Sequence, residues 1–221
     1  MILLNSKTPQ FPDPTSAALE PDGLLAVGGN LLSSTLLSAY RMGIFPWFSE
    51  GDPLLWWSPS IRCVLDPHRI HISKSLNKQL RQQRFDISID QAFTAVIKNC
   101  ADRKDNQGTW ITNEMIAAYV RLHQQGHAHS IEVWQDSDLI GGIYGLAIGG
   151  IFCGESMFSH RANASKIAMV YLCRHLIKQG YSLLDCQIVS EHLLSMGATS
   201  MARQDFLNLI ATQNNRSIDW L

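Results

Sequence analysis

Residues 138–158, DLIGGIYGLAIGGIFCGESMF, decide how the chain must fold. The run is apolar and punctuated by glycine, and Gly149-Gly150 is a two-residue turn of the kind that joins neighbouring antiparallel strands. A β-hairpin is therefore expected here. Working outward, a long helix over about 163–179 follows, and then SLLDCQI, a short strand with alternating faces. Upstream lie the strand FDISID, helices over about 90–100 and 113–124, and the strand HSIEVWQ. Strands and helices in this order predict an α+β domain with a mainly antiparallel sheet over residues 63–221.

Residues 1–62 have a different texture, rich in Pro and Gly, and read as a small N-terminal domain of turns around one helix, SSTLLSAYRMG. Ser33 or Ser34 is the expected N-cap and Gly43 the stop signal. Within this region, residues 43–65 read GIFPWFSEGDPLLWWSPSIRCVL, and Pro46, Gly51, Pro53 and Pro59 exclude a regular helix. Phe45, Trp47, Phe48, Trp56 and Trp57 either wedge two parts of a core together or form a platform for something planar.

Composition narrows the function classes. The chain has 221 residues, 46% hydrophobic and 17% charged, which is the balance of a folded protein with a sizeable core. No apolar run approaches the roughly 20 residues that span a bilayer, and the N-terminus lacks the features of a secretion signal. A cytoplasmic protein with no membrane partner is expected. Its five cysteines are widely spaced without any C-x-x-C pair, so they read as reduced, mostly buried thiols rather than disulfides or metal ligands. A net charge of −1 leaves nucleic-acid binding to local patches.

One such patch lies in residues 66–85, where no acidic residue occurs between Asp66 and the end of the stretch. If SKSLNKQLRQQ is helical, Lys74, Lys78 and Arg81 share one face and form a ridge suited to phosphates. The plainer alternative is an ordinary solvated helix face. The tryptophans just upstream favour the first, because single-stranded RNA is bound by basic grooves beside aromatic platforms.

Chemistry points to two other strands. Glu155 and Asp185 lie in otherwise apolar strands, where a carboxylate is costly unless paired, hydrogen-bonded or functional. A period of two places Asp185 and Gln187 on one face, so Glu155, Asp185 and Gln187 would form a small acidic pocket if the strands are neighbours. The plainer reading for each acid is a buried partner for an arginine or lysine. His127 and His129 have no third ligand in view and read as structural. GESMF lacks the second glycine of a nucleophile elbow, and Gly141-Gly142 is no phosphate loop.

Taken together, EPDGLLAVGGNL, GIFPWFSEGDPLLWWSP, GTWIT, GHAHSIEVW, FCGESMFS, NASKIA and LLDCQ resemble the bacterial leucyl/phenylalanyl-tRNA–protein transferases over about residues 11–208. The similarity departs at the C-terminus, where a longer family tail is missing or altered after NNRSIDWL. The resemblance implies a small N-terminal domain plus an acetyltransferase-like (GNAT) domain. It implies transfer of leucine or phenylalanine, with methionine as a further candidate, from aminoacyl-tRNA to proteins with N-terminal Arg or Lys, marking them for degradation in the N-degron pathway. It implies that Trp47 and Trp110 line the pocket for the 3′-terminal adenosine, and that Asp185, Gln187 and Glu155 form the catalytic centre. By the same resemblance Ile143, Phe152, Met169 and Leu172 form the hydrophobic pocket for the transferred side chain. Trp56 and Trp57 are left to pack the small domain onto the sheet.

This agrees with the chemistry. An aminoacyl ester is already activated, so aminolysis needs no ATP, cofactor or metal, only an unprotonated amine and a stabilised oxyanion. The amine's reference pKa of about 7.7 to 8.0 makes a weak base sufficient. Asp185 can act as that base, with Gln187 orienting the amine or ester, or as an electrostatic positioner with the tRNA ribose assisting. A monomer is expected. Two rival classes are a GNAT acyl-CoA N-acyltransferase and a non-catalytic RNA-binding module. The first is weakened by HRANASK, which has Arg161 but no glycine for a pyrophosphate loop, and the second leaves Glu155 and Asp185 unexplained.

Overall fold

The computed structural model describes residues 2–102 and 109–221. Gly108 of the GTWIT string lies outside them. The N-terminal part is more regular than its texture suggests. Strands β1 (Ile2–Leu4), β2 (Leu24–Gly28), β3 (Phe45–Pro46) and β4 (Leu55–Trp57) form a four-stranded sheet in the order β1-β2-β4-β3, with helix α1 (Ser33–Arg41) between β2 and β3. These strands are two to five residues long and Pro46 interrupts the pattern, so no alternation is legible in them. Helix α1 starts at Ser33 itself. Leu32 occupies the cap position without a side-chain bond, and Asn30 organises the entry by accepting from the Leu32 N–H and the Thr35 hydroxyl. Gly43, at φ +74, ends the turn that follows the helix.

The remainder is built from β5 (Ile61–Leu65), α2 (Lys74–Gln82), β6 (Asp86–Ile89), α3 (Phe93–Ala101), α4 (Asn113–Gln124), β7 (Ala128–Gln135), β8 (Asp138–Ile148), β9 (Ile151–Ser159), α5 (Ala164–Gln179), β10 (Leu183–Gln187), α6 (Glu191–Ser195), β11 (Thr199–Ala202) and α7 (Arg203–Gln213). Its seven-stranded sheet runs β11-β5-β10-β9-β8-β7-β6, antiparallel except for the β9–β10 pair. The expected α+β, mainly antiparallel architecture is thus present. Sheet membership changes between Trp57 and Ile61, so residues 61–62 already belong to the larger sheet.

The Gly149-Gly150 turn joins β8 to β9, with Ile148 opposite Ile151. Gly149 sits at φ +56, and a Cβ there would come within 2.1 Å of the Gln213 carbonyl, so conformation and space both demand glycine. Helix α5 carries the chain back across the sheet from β9 to β10, the crossover that makes this pair parallel.

Alternation along the strands sends side chains to two faces. Val64, Ile151 and Cys153 join a cluster with α3, α4, α7 and the N-terminal residues Tyr40, Phe45 and Trp56. Cys63, Leu65 and Phe152 point the other way, into a cluster built on α2 and α5. The small sheet and the large one therefore share a core. None of the described helices is long and apolar enough to cross a membrane.

Candidate active site

Strands β9 and β10 pair in parallel through Leu183↔Ile151, Leu184↔Phe152 and Asp185↔Cys153, and then part. The ladder of β10 on β5 slips between Asp185 and Gln187, and Gln187 takes a left-handed φ of +64. That conformation costs a non-glycine residue on the order of 1–3 kcal/mol and persists only where neighbours enforce it. Here the backbone N–H of Gln187 donates to Asp185 Oδ1 at 2.9 Å. Its side chain turns toward β9, where Nε2 donates to Glu155 Oε1 at 2.7 Å.

Glu155 is held on its other side by phenols. Tyr119 of α4 donates to Oε2 at 2.9 Å, and its oxygen is hydrogen-bonded to Tyr40 of α1. The Tyr119 O–H is engaged in donating to the carboxylate, so Tyr40 is the donor between the two rings. Burial lifts both phenols well above their usual pKa, keeping them protonated. Burial also raises Glu155, and although hydrogen bonds from the phenols and from Gln187 work against it, the carboxyl ends pushed up to about 7. Glu155 is thus poised to exchange a proton near neutral pH.

Two cavities meet at this carboxylate. The first, about 330 Å³, is lined by Trp47, Trp110, Phe45, Ile188, Glu155 and Gln187. The second, about 90 Å³, lies where the strands diverge and is apolar, walled by Ile143, Met157, Met169, Leu184 and Leu193. Glu155 and Cys186 line both. An aromatic, open chamber and a small greasy one therefore flank the Glu155 carboxyl group.

The sequence-predicted residues divide accordingly. Trp47, 42% exposed, and Trp110 stand in the first cavity with Glu155 and Gln187. Ile143 and Met169 line the second, whereas Phe152 and Leu172 do not: both are fully buried in the core, and Phe152 stacks on Trp220 at 5.1 Å. Asp185 reaches neither cavity. Its carboxylate is completely buried and clasped by Arg62, with Nε to Oδ1 at 2.8 Å and Nη2 to Oδ2 at 2.7 Å. An acidic pocket of three side chains is thus replaced by a two-residue site backed by an ion pair. Arg62, which takes both oxygens of Asp185 in a fully buried pair, is the reason.

Lys74, Lys78 and Arg81 are exposed along one face of α2 and border a shallow groove, but none lines either cavity. Trp56 is fully buried, with Nε1 donating to the Gly28 carbonyl, while Trp57 props Trp47 by donating to its carbonyl at 2.6 Å. His129 meets Asp90 through Nδ1 at 2.8 Å. Arg62, Tyr40, Tyr119 and Cys186 were not singled out from sequence. Arg62 was within reach, being a charge in the apolar strand IRCVL, the same signal that marked Glu155 and Asp185. The tyrosines carry no such mark, because buried tyrosines on amphipathic helices are ordinary.

The family model described as leucyl/phenylalanyl-tRNA protein transferase matches residues 64–211, and the model of that family's N-terminal domain matches residues 29–60. Curated relatives described as leucyl/phenylalanyl-tRNA–protein transferase include proteins of Shewanella baltica strain OS155 (52% identical, covering 98% of this chain and 92% of that one), Psychromonas ingrahamii (51%, 95% and 88%) and Shewanella pealeana (54%, 94% and 89%). Solved structures with a more distant likeness include FemX (9% identical, 81% of this chain and 71% of that one, TM-score 0.49) and a GCN5-related N-acetyltransferase from Kribbella flavida (11%, 80% and 63%, TM-score 0.43).

Proposed function

The chain belongs to the leucyl/phenylalanyl-tRNA protein transferase family, and from that membership we propose that it moves leucine or phenylalanine from aminoacyl-tRNA to proteins with N-terminal arginine or lysine. Methionine is a third candidate donor, and the modified protein would carry an N-degron. The enzyme would work in the cytoplasm as a monomer.

One observation supports the reading above all: a carboxyl group with a pKa of about 7 sits where an aromatic cavity adjoins a small apolar one. An aminoacylated 3′ end has the matching parts, a planar base, an ester and an apolar side chain. In this reading the terminal adenosine stacks on Trp47 and Trp110, the amino-acid side chain enters between Ile143 and Met169, and the ester lies beside Glu155 and Gln187. Phe152 and Leu172 support that apolar wall from behind.

The α-amine of the acceptor attacks the ester carbonyl, forming the peptide bond as the bond to the ribose oxygen breaks. Glu155, ionised, takes the proton the amine must lose, and the departing ribose oxygen recovers one. The Gln187 amide holds Glu155 in place and orients the amine. Asp185, enclosed by Arg62, acts behind Gln187 and not on the substrate. Lys74, Lys78 and Arg81 form a phosphate ridge for the tRNA backbone.

The test is transfer of labelled leucine from Leu-tRNA to peptides beginning with Arg or with Asp. Incorporation into the first and not the second is expected. Absence of incorporation by folded protein, or acetyl transfer from acetyl-CoA in its place, overturns the reading.

A further inference from the structure

We propose that Arg62 is a positioning residue for the transfer step, its single guanidinium setting the two walls of the reaction cavity against each other. The inference rests on the Glu155–Gln187 site being the place of aminoacyl transfer. Arg62 lies on β5 and is 2% exposed. Two of its nitrogens grip Asp185 in a bidentate fork. The third, Nη1, donates to the Gly43 carbonyl at 3.2 Å. Its Cζ also lies over the rings of Phe45 and Phe206, 4.7 and 4.6 Å from their centres.

Each contact leads to a different part of the site. Asp185 Oδ1 also accepts the Gln187 N–H, which keeps that residue in its left-handed conformation and its amide on Glu155. Gly43 and Phe45 introduce the Phe45-Pro46-Trp47 wall of the first cavity. The guanidinium therefore joins the wall with the tryptophan to the wall with the proton acceptor, across the boundary between the small sheet and the large one. No lysine could do this, because an ammonium lacks the planar fork that fills three directions at once.

Buried ion pairs are often kept without gain in stability, so the pairing alone says little. What points to positioning is that the carboxylate partner is shared with a strained residue of the site. Without the fork, Asp185 is an unpaired buried charge and the Gln187 backbone loses its anchor. Misplacement of reacting groups by about 1 Å costs about 100-fold in rate.

The experiment compares full-length wild type with R62K, R62M and the double variant R62M/D185N, in steady-state transfer of leucine from Leu-tRNA to an Arg-initiated peptide over pH 5.5 to 9. For R62M, kcat is expected to fall about 100-fold while KM for either substrate changes less than about fivefold. R62K should recover only part of the loss. The acid limb of the profile should move to higher pH in R62M, since the Gln187 hydrogen bond that lowers the Glu155 pKa is gone. R62M/D185N should exceed R62M in kcat, because the amide that D185N introduces still offers an acceptor to the Gln187 N–H and leaves no unpaired charge. Should R62M fail to fold, R62K and the double variant give the same comparison.

Folded variants with wild-type kcat and an unmoved pH profile overturn the proposal. So does a loss of kcat in R62K and in R62M/D185N that tracks their melting temperatures with the profile unmoved, which is a structural role only. If wild type itself transfers nothing, the reading of the site has failed, and not this inference alone.

Discussion

Gln187 Nε2 donates to Glu155 Oε1 at 2.7 Å, across the gap where β9 and β10 have already parted. The bond replaces the missing backbone ladder with a side-chain link, and it puts an amide and a carboxyl group at the point where the two cavities meet. Proton transfer at Glu155 depends on that link.

Replacing Glu155 by Gln removes the proton acceptor but keeps its shape. Transfer should slow about 100-fold or more, the usual contribution of a positioned base. Aminoacyl-tRNA affinity, measured by filter binding, should change little. Q187A should slow transfer less, since it loosens Glu155 without deleting it.

The pH dependence of kcat should follow the same group. Glu155 must be ionised to accept a proton, and its pKa is about 7, so the rate should fall as pH drops below neutrality. In E155Q the part of this acid limb that titrates near 7 should be lost from the residual rate, leaving only the limb of the acceptor amine, whose reference pKa is about 7.7 to 8.0. A profile flat from pH 6 to 8 in the wild type would remove Glu155 from the mechanism.

Stability should move in the opposite sense. The folded pKa of Glu155, about 7, lies above its ordinary value of 4.5, so the protonated form stabilises the fold. That stabilisation is complete below about pH 4.5 and is lost as pH rises through 7. The melting temperature of E155Q relative to wild type should therefore climb between about pH 5 and 7 and level off above. Thermal denaturation at several pH values checks it.

The tryptophans should separate by experiment. Trp47 is 42% exposed and W47A should leave the melting temperature nearly unchanged while weakening aminoacyl-tRNA binding about tenfold or more, the worth of one base stacked on an aromatic ring. W56A, at a fully buried site, should cost about 3 to 5 kcal/mol of stability. Denaturant titration beside binding assays distinguishes the two.

The small cavity makes a specificity prediction. M169A should enlarge it and favour phenylalanine over leucine as donor by about tenfold, the scale set by small differences in apolar fit. F152L should destabilise the protein and move the donor ratio much less than M169A does, because Phe152 stands behind that wall and does not line the cavity. Competition between Leu-tRNA and Phe-tRNA measures both.

The sequence by itself determined a good deal. The Gly149-Gly150 turn, the helices at 74–82, 113–124 and 164–179, and the strands on either side of the last were legible because their signals are local: hydrophobic period, glycine and cap chemistry. Glu155 and Asp185 stood out for the same reason, since charge in an apolar strand is costly wherever the strand ends up. Which of the two acids faces solvent was not local. It depends on a one-residue slip of β10 against β5, and on an arginine 123 residues earlier in the chain that closes on Asp185 and leaves Glu155 to the cavities. The four short N-terminal strands were likewise decided by tertiary contact, being too brief to carry a pattern. A period of two can tell which side chains share a face, but only the pairing of distant strands tells what that face meets.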